Sequence, residues 1–551
     1  MTKTKHIRRR PLAAALTLTI ACFGLIYGFS AASAQETQRE RVIAAPTPTV
    51  TAKPTVSPTV SPATVPTATP RLAALQTIPE LQAKIRSIIL RPQLQRGQIG
   101  VKIISLDTNK VIFEENAEKY FMPASNMKSF TVSAALEKLT PDFRFVTSVY
   151  APASPDASGT IRGDLIIYGR GDPSISTAFN DKDYFKGMNN LAEKIVASGV
   201  KRVEGALIGD ESYFTGDALP ASWEWDDLQW YYGAEVSALT VNDNALDLIV
   251  RPGSAIGAPA GVQLLPNVNG VLLVNNTKTS AAGTRRDIGI RRRLGTNVIE
   301  VFGSMPLGAG AYTNYVSLPK PALVFVSMLR QLLEQKGVVV TGQTRAVDAE
   351  FRKNAPLPAN LVEVTKLESP PLALIAAKTM KPSQNLYTEL ILRAMGESIG
   401  DRANQRWTSA DRGIAVVDKF LQEIGVAAGS VLMYDGSGLS RHDLITPSAV
   451  VQLYSYMSRS RFAPVWRDSL TVAGVDGTLS NRFKGTRGEN NVRGKTGTID
   501  QVSSLSGYMT TVAGERLAFS FITNNIPSGS LRTGTIDEIV VLLANFNGRT
   551  G

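Results

Sequence analysis

The stretch PASNMKSF, residues 123–130, places Ser125 three residues before Lys128 at the start of a predicted helix. Residues three apart share one face of a helix, so the two side chains are expected to meet. A serine at a helix N-terminus also lies near unpaired N–H groups and the positive end of the helix dipole, where an oxyanion is stabilised. Lysine can take the serine proton when burial or a nearby positive charge favours its neutral form. The pattern indicates either a nucleophile with its base or a polar helix start, because the same spacing recurs at Ser198–Lys201 and Ser317–Lys320.

A second short motif, SQN, occupies residues 383–385 directly before the helical pattern LYTELILRAMGE. Side chains separated by one residue can both project from a tight connection into a cleft. Ser383 is then suited to relay a proton to a leaving group, and Asn385 is suited to hold the lysine and a substrate amide. The alternative is a helix N-cap, since serine and asparagine both favour that position.

A third motif, GKTGT at residues 494–498, leads into a predicted strand pair. The cationic side chain of Lys495 is suited to attract a substrate carboxylate, which Thr496 and Thr498 can hydrogen-bond. Gly497 would let a substrate backbone approach closely, as glycine within a strand often does. The motif therefore predicts a carboxylate-binding strand.

The three motifs stand in the order S-x-x-K, S-x-N, K-T-G, each in the local structure it needs. In this the sequence resembles the penicillin-recognising serine hydrolases. Within them it is similar to the low-molecular-mass class C penicillin-binding proteins, the D-Ala-D-Ala carboxypeptidase/endopeptidase family. The 258 residues from Ser125 to Ser383 suit a large insertion. Further stretches similar to the family are YGRGDPSIS (168–176), YDGSGLSRHDLITP (434–447), AGVDGTLSNRF (473–483) and LSGY (505–508).

The resemblance, which covers roughly residues 75–547, implies an α/β fold. The expected architecture is a penicillin-binding-protein/β-lactamase-like transpeptidase domain, an antiparallel sheet flanked by helices. A large β-rich insertion splits this domain. The composition and the resemblance together predict a DD-peptidase domain made of residues 72–169 and 364–551, with the insertion at 170–363.

The resemblance also implies roles for the motif residues. Ser125 would be the acylated nucleophile and Lys128 its base, with Ser383 and Asn385 forming the second motif. The terminal carboxylate of the substrate would be bound by Lys495, Thr496 and Thr498, beside Gly497. The backbone N–H groups of Ser125 and Thr498 would form the oxyanion hole.

One stretch of the predicted insertion, WEWDDLQWYYGAEVSAL at 223–239, corresponds to a family segment that reaches the cleft. There an aspartate and an aromatic residue grip a free amine on the peptide stem. The matches are Asp227, for which Asp226 is the competing choice, and Tyr232, with Arg441 lining the same pocket. The alternative is an aromatic-rich packing segment without contact to substrate.

The function implied by the resemblance is that of a serine-type D-alanyl-D-alanine carboxypeptidase that trims peptidoglycan stem peptides, with DD-endopeptidase activity also open. β-Lactams are expected to acylate the same serine, and neither a metal nor a cofactor is expected. Three alternatives remain: a β-lactamase-like hydrolase, a non-catalytic envelope or peptidoglycan-binding protein, and a wall-tethering module.

The composition excludes several other classes. The chain of 551 residues carries a formal net charge of +12. It contains no basic run with interleaved aromatic residues, the pattern that would indicate a nucleic-acid partner. Cys22 is the single cysteine, and His6 and His442 are the only histidines. A disulfide, a cysteine metal site and a multi-histidine metal site are therefore excluded. His442 is expected to be a surface or loop residue, and the sequence indicates no oligomeric state.

The N-terminal region predicts export. A basic start, KTKHIRRR, precedes a largely apolar run from Leu12 to Phe29 and a small-residue ASA site at 32–34. Because the run exceeds the usual ~7–15 residues, residues 1–34 are either a signal peptide or an uncleaved membrane anchor. Residues 35–71 are a Pro/Thr-rich linker, expected to be extended. The predicted location is the periplasm or cell envelope.

Overall fold

The computed structural model describes residues 75–268, 271–293 and 295–551. The predicted signal peptide or anchor and the predicted Pro/Thr linker lie outside these residues. Within the part of the chain that is described, no helix combines the length and apolar character needed to cross a membrane.

The first strands of the described chain form a hairpin. Gln98–Ser105 pairs antiparallel with Val111–Glu115, and Asn109 takes the positive φ of 57° that the turn between them requires. This hairpin forms one edge of a six-stranded antiparallel sheet. Its strands in spatial order are Thr471–Val472, Arg493–Ile499, Val502–Thr510, Arg516–Asn524, Gln98–Ser105 and Val111–Glu115.

Helices cover both faces of this sheet. On one face Ile78–Ile89 and Gly529–Ala544 pack over a core that includes Phe519 and Leu505. The first of these helices begins at a capping box made by Thr77 and Glu80. The other face carries a mostly helical layer with its own core, formed by Met127–Lys138, Leu372–Met380, Asn385–Ile399, Ser409–Glu423, Pro447–Met457 and Ala463–Ser469.

Met127–Lys138, here named the Ser125 helix, lies at the centre of the helical layer. Residues 127–136 are all buried, including Lys128 and Ser129. A helix buried on every side has no polar face, which is why its sequence lacks the amphipathic pattern of a surface helix. The start of this helix is thereby fixed by packing from several directions.

A second region interrupts this domain between the Ser125 helix and Leu372–Met380. It contains the helices Lys186–Ala197, Pro321–Gln335 and Ala349–Asn354. Its five-stranded mixed sheet has the order Thr344–Val347, Leu207–Asp210, Leu165–Tyr168, Val146–Ala151 and Val362–Glu368. Smaller sheets are built from Val339–Val340, Arg202–Val203 and Thr160–Ile161, from Leu272–Ser280, Val298–Pro306 and Asp287–Arg292, and from Tyr312–Ser317, Ala245–Arg251 and Gly261–Leu265.

Strand pairing places the limits of the inserted region differently from the sequence prediction of 170 and 363. Two strands that the sequence placed in the DD-peptidase domain pair within the inserted sheet, Val146–Ala151 and Leu165–Tyr168. The last inserted strand, Val362–Glu368, ends beyond the predicted limit. The inserted region therefore extends from about 146 to 368, because partners distant in sequence decide which sheet a strand joins.

An apolar cluster joins the two regions. Phe214, Trp223 and Val236 of the inserted region pack with Leu386 and Tyr387 of the helix Asn385–Ile399. This helix is here named the Asn385 helix, and residues 223–232 are named the bridging segment. The fold is an α/β domain with an antiparallel sheet flanked by helices and split by a β-rich insertion, which confirms the predicted fold class.

Candidate active site

Ser125 lies in a short 3-10 turn, Ala124–Asn126, that leads directly into the Ser125 helix. The preceding residue, Ala124, has a positive φ of 48°, which is costly for a residue with a Cβ. A side chain at Gly438 would collide with the Ala124 carbonyl oxygen, so the loop around residue 438 presses against this turn. The serine is 3% exposed and is held by its surroundings.

Lys128 reaches Ser125 from one turn along the helix. Its Nζ donates to Ser125 Oγ at 3.0 Å, to Asn385 Oδ1 at 2.6 Å and to the Ser437 carbonyl oxygen at 2.6 Å. The side chain is fully buried, and such burial of an amine requires hydrogen-bond partners. The distance to Ser125 Oγ is within the range needed for direct proton transfer.

The SQN motif brings Asn385 to Lys128. Asn385 is the first residue of its helix, and its amide also donates through Nδ2 to the Tyr232 carbonyl oxygen at 2.9 Å. The helix N-cap is Gln384, whose side chain accepts from the Leu386 N–H at 3.2 Å. Neither Ser383 nor Asn385 therefore serves as the cap, and their side chains contact Lys495 and Lys128 instead.

Ser383 connects the second and third motifs. It has a positive φ of 65°, and its Oγ accepts from Lys495 Nζ at 2.8 Å. Lys495 is fully buried and also donates to the Thr496 carbonyl oxygen at 2.8 Å. The Thr496 hydroxyl donates to Thr478 Oγ1 at 2.6 Å, which fixes its rotamer.

The strand Arg493–Ile499 passes close to Ser125. A Cβ at Gly497 would lie 2.9 Å from Ser125 N and 2.7 Å from the Pro123 carbonyl oxygen, and it would collide with Ser504 Oγ. Only glycine permits this approach. The next residue of the strand is Thr498, which therefore also lies beside the serine turn.

The bridging segment places Asp227 and Tyr232 near Arg441. Arg441 Nε lies 2.7 Å from Glu224 Oε2, and the half-buried Asp227 receives a hydrogen bond from Tyr232. Asp226, the competing candidate, is exposed. Burial raises the pKa of Asp227 to about 6, and the charges of Asp226 and Glu224 act in the same direction. Arg441 and the Tyr232 hydrogen bond oppose this increase.

The other S-x-x-K sequences have local structural roles. Ser198 Oγ donates to the Ile195 carbonyl oxygen at the end of a helix, and Lys201 is exposed. Ser317 Oγ accepts from Arg292 at 2.6 Å and donates to the Leu228 carbonyl oxygen. His442 is exposed and its ring lies 5.4 Å from that of Tyr434.

Three site residues escaped the sequence analysis. The Ser437 carbonyl and the Thr478 hydroxyl contact motif residues, and Asp435 accepts the N–H of Ser437. Both regions belong to the family-like stretches, but within them only Arg441 has a role predicted from the sequence. The sequence DGSG at 435–438 was an available signal, because an aspartate before Gly-Ser-Gly often organises a tight loop.

Comparison with known proteins adds three findings. The model of the D-Ala-D-Ala carboxypeptidase 3 (S13) family matches residues 81–546. A D-alanyl-D-alanine carboxypeptidase of Actinomadura sp. is 34% identical over 484 residues, covering 86% of each chain. The crystal structure of penicillin binding protein 4 from Haemophilus influenzae superposes with a TM-score of 0.71 at 22% identity, covering 84% of this chain and 99% of that one.

Proposed function

Because this chain belongs to the D-Ala-D-Ala carboxypeptidase 3 (S13) family, it is a serine-type D-alanyl-D-alanine carboxypeptidase, and we propose that Ser125 is its nucleophile. The observation that carries the assignment is the hydrogen bond between Lys128 Nζ and Ser125 Oγ. The substrate is a peptidoglycan stem peptide that ends in D-Ala-D-Ala.

In the acylation step, neutral Lys128 accepts the proton of Ser125 as Oγ attacks the carbonyl carbon of the penultimate D-Ala. The oxyanion that forms is stabilised by the backbone N–H groups of Ser125 and Thr498. The C–N bond then breaks, and the leaving amine nitrogen takes a proton from Lys128 through the Ser383 hydroxyl. Terminal D-Ala departs and leaves an ester on Ser125.

In the deacylation step, water attacks the ester carbonyl and Lys128 accepts its proton. The C–O bond to Ser125 breaks, the proton returns to Oγ and the shortened peptide leaves. Splitting hydrolysis into two steps is the gain from covalent catalysis. A β-lactam carbonyl acylates Ser125 in the same way.

The free carboxylate of terminal D-Ala is recognised by Lys495 together with the Thr496 and Thr498 hydroxyls. Lys495 is the cation nearest to the Ser383 hydroxyl, so the carboxylate binds on the leaving-group side of the site. A charge-assisted hydrogen bond in a buried site contributes strongly to orientation.

The other end of the substrate presents a free amine to Asp227 and Tyr232, and Arg441 lines the same pocket. Glu224 and Asp226 lie beside Asp227 and add to the carboxylates of this pocket. These carboxylates favour a cationic group on the substrate. We place the enzyme in the cell envelope, where its substrate lies, with export through the N-terminal segment.

Release of D-Ala from a stem pentapeptide tests this function. Wild type and Ser198→Ala are expected to release D-Ala at equal rates, and Ser125→Ala is expected to release none. Release by Ser125→Ala would contradict the assignment of the nucleophile. Rapid turnover of a chromogenic β-lactam without D-Ala release would favour the β-lactamase alternative, and cleavage of a D,D-cross-linked muropeptide dimer would add endopeptidase activity.

A further inference from the structure

The bridging segment, residues 223–232, is anchored at its C-terminal end on a group that holds Lys128. The Tyr232 carbonyl oxygen accepts from Asn385 Nδ2 at 2.9 Å. The same amide accepts from Lys128 Nζ through Oδ1 at 2.6 Å. A shift of the backbone at Tyr232 would therefore reorient the amide against which the lysine is held.

The N-terminal end of the segment is anchored by Trp223. Its indole is 7% exposed and lies in the apolar cluster with Leu439, so its N–H needs a buried acceptor. That acceptor is Asp435 Oδ2, at 2.7 Å. One hydrogen bond thus joins the bridging segment to the loop that follows Asp435.

Asp435 organises this loop. It is 1% exposed, and its two carboxylate oxygens accept four successive backbone N–H groups at 2.6–3.1 Å, those of Ser437, Gly438, Leu439 and Ser440. The loop in turn presents the Ser437 carbonyl oxygen to Lys128 Nζ at 2.6 Å. Trp223 is therefore connected to Lys128 through Asp435 and the backbone at 437.

Two other buried carboxyl groups, those of Asp443 and Glu389, lie beside Asp435. Burial, followed by the charge of Asp435, holds the pKa of Asp443 well above its usual range. Burial and the same charge raise the pKa of Glu389 to about 8. Trp223 donates to Asp435 within this group of buried carboxyl groups.

We propose that Trp223 is a positioning residue, which makes the bridging segment a mechanical link between the amine of the stem peptide and the two groups that hold Lys128. The inference rests on the proposed amine contact at Asp227, which lies between the two anchors. Binding energy gained on a remote part of a substrate can be used to orient the reacting groups, and it then raises kcat. Amine binding at Asp227 fixes the segment, and its two ends fix the Asn385 amide and the Ser437 carbonyl around the base.

The test compares a stem peptide that bears a free amine with the same peptide acetylated on that amine. Trp223→Phe keeps an aromatic ring but removes the N–H donor. We expect it to reduce the kcat advantage of the free amine about fivefold, the effect of one hydrogen bond, while the KM for that substrate stays within about twofold. Trp407→Phe, the same change at a half-exposed site outside the link, should leave the advantage unchanged.

The number of folded sites in each variant is counted by the stoichiometry of fluorescent penicillin labelling, and kcat is expressed per labelled site. An equal loss of kcat on both peptides, or no loss on either, would overturn the inference. Asp227→Asn distinguishes a failure of the proposed link from a failure of the proposed amine pocket. If it removes the preference for the amine and Trp223→Phe does not, the link alone is wrong. If Asp227→Asn retains the preference, the amine pocket is wrong and the link falls with it.

Discussion

Two fully buried lysines are held in different ways. Lys495 is held by Ser383 and by a carbonyl of its own strand, so its pocket belongs to the DD-peptidase domain. Lys128 is held by Asn385 and Ser437, and each of these is tied to the inserted region through Tyr232 or Trp223. In the proposed mechanism, carboxylate recognition is therefore built within one domain, whereas activation of the nucleophile depends on both regions.

Removal of the base is expected to have the largest effect. Lys128→Met keeps most of the buried stem but cannot accept the serine proton, and it should slow acylation about 1,000-fold. The time course of fluorescent penicillin labelling measures this rate. Lys201→Met, in the second S-x-x-K sequence, removes an exposed lysine and should label at the wild-type rate. Rapid labelling of Lys128→Met would refute its role as the base.

Removal of the second lysine should act mainly on binding. Lys495→Gln removes the cation that faces the substrate carboxylate, and we expect kcat/KM for D-Ala release to fall about 100-fold, mostly through KM. A substrate whose C-terminal carboxylate is amidated should be poor for wild type but no worse for the variant. A fall in kcat as large as that of Lys128→Met, with KM unchanged, would remove the distinction between the two lysines.

A methyl group at the point where the third motif approaches Ser125 should have a smaller effect. Gly497→Ala places a Cβ against Ser125 N, Pro123 O and Ser504 Oγ, and the overpacking should cost about 2 kcal/mol. Thermal unfolding and the acylation rate both measure this cost, and we expect acylation to be about 30-fold slower. Gly534→Ala is the matched control, because its Cβ meets no atom and alanine favours the helical conformation more than glycine does. Equal behaviour of the two variants would contradict the close approach.

The pH dependence of amine preference should show the smallest effect. Only ionised Asp227 attracts an ammonium group, and its pKa of about 6 means that the carboxylate is lost as pH falls through this value. The kcat/KM ratio of free-amine to acetylated peptide should fall about fourfold between pH 7 and pH 5.5, since kcat/KM reports the free enzyme. Asp227→Asn should give a low ratio that does not change with pH. A flat wild-type ratio would exclude Asp227 as the ammonium partner.

The sequence predicted the elements whose signals are local. The strand pair predicted after the third motif is confirmed, since Val502–Thr510 pairs antiparallel with Arg516–Asn524 across a turn that contains Gly514. The motif residues were identifiable because each motif spans only three to five positions. Their roles in catalysis stay predictions, although the structure places Ser125, Lys128 and Asn385 in contact.

The features that sequence reasoning missed depend on distant partners. Val146–Ala151, which the sequence placed in the DD-peptidase domain, joins the inserted sheet because it pairs with Val362–Glu368, far along the chain. Trp223 and Asp435 are 212 residues apart, and nothing near either residue indicates the other. A buried indole N–H must find an acceptor, but only the packed fold shows which one it finds.

The location of the acyl group tests the central claim most directly. Purified wild type, Ser125→Ala and Ser198→Ala are incubated with a fluorescent penicillin, digested, and the labelled peptide is identified by mass spectrometry. We predict one label per molecule on the peptide that contains Ser125, in wild type and in Ser198→Ala, and no label in Ser125→Ala. A label on another residue, or folded wild type that remains unlabelled, would contradict the assignment of Ser125 as the nucleophile.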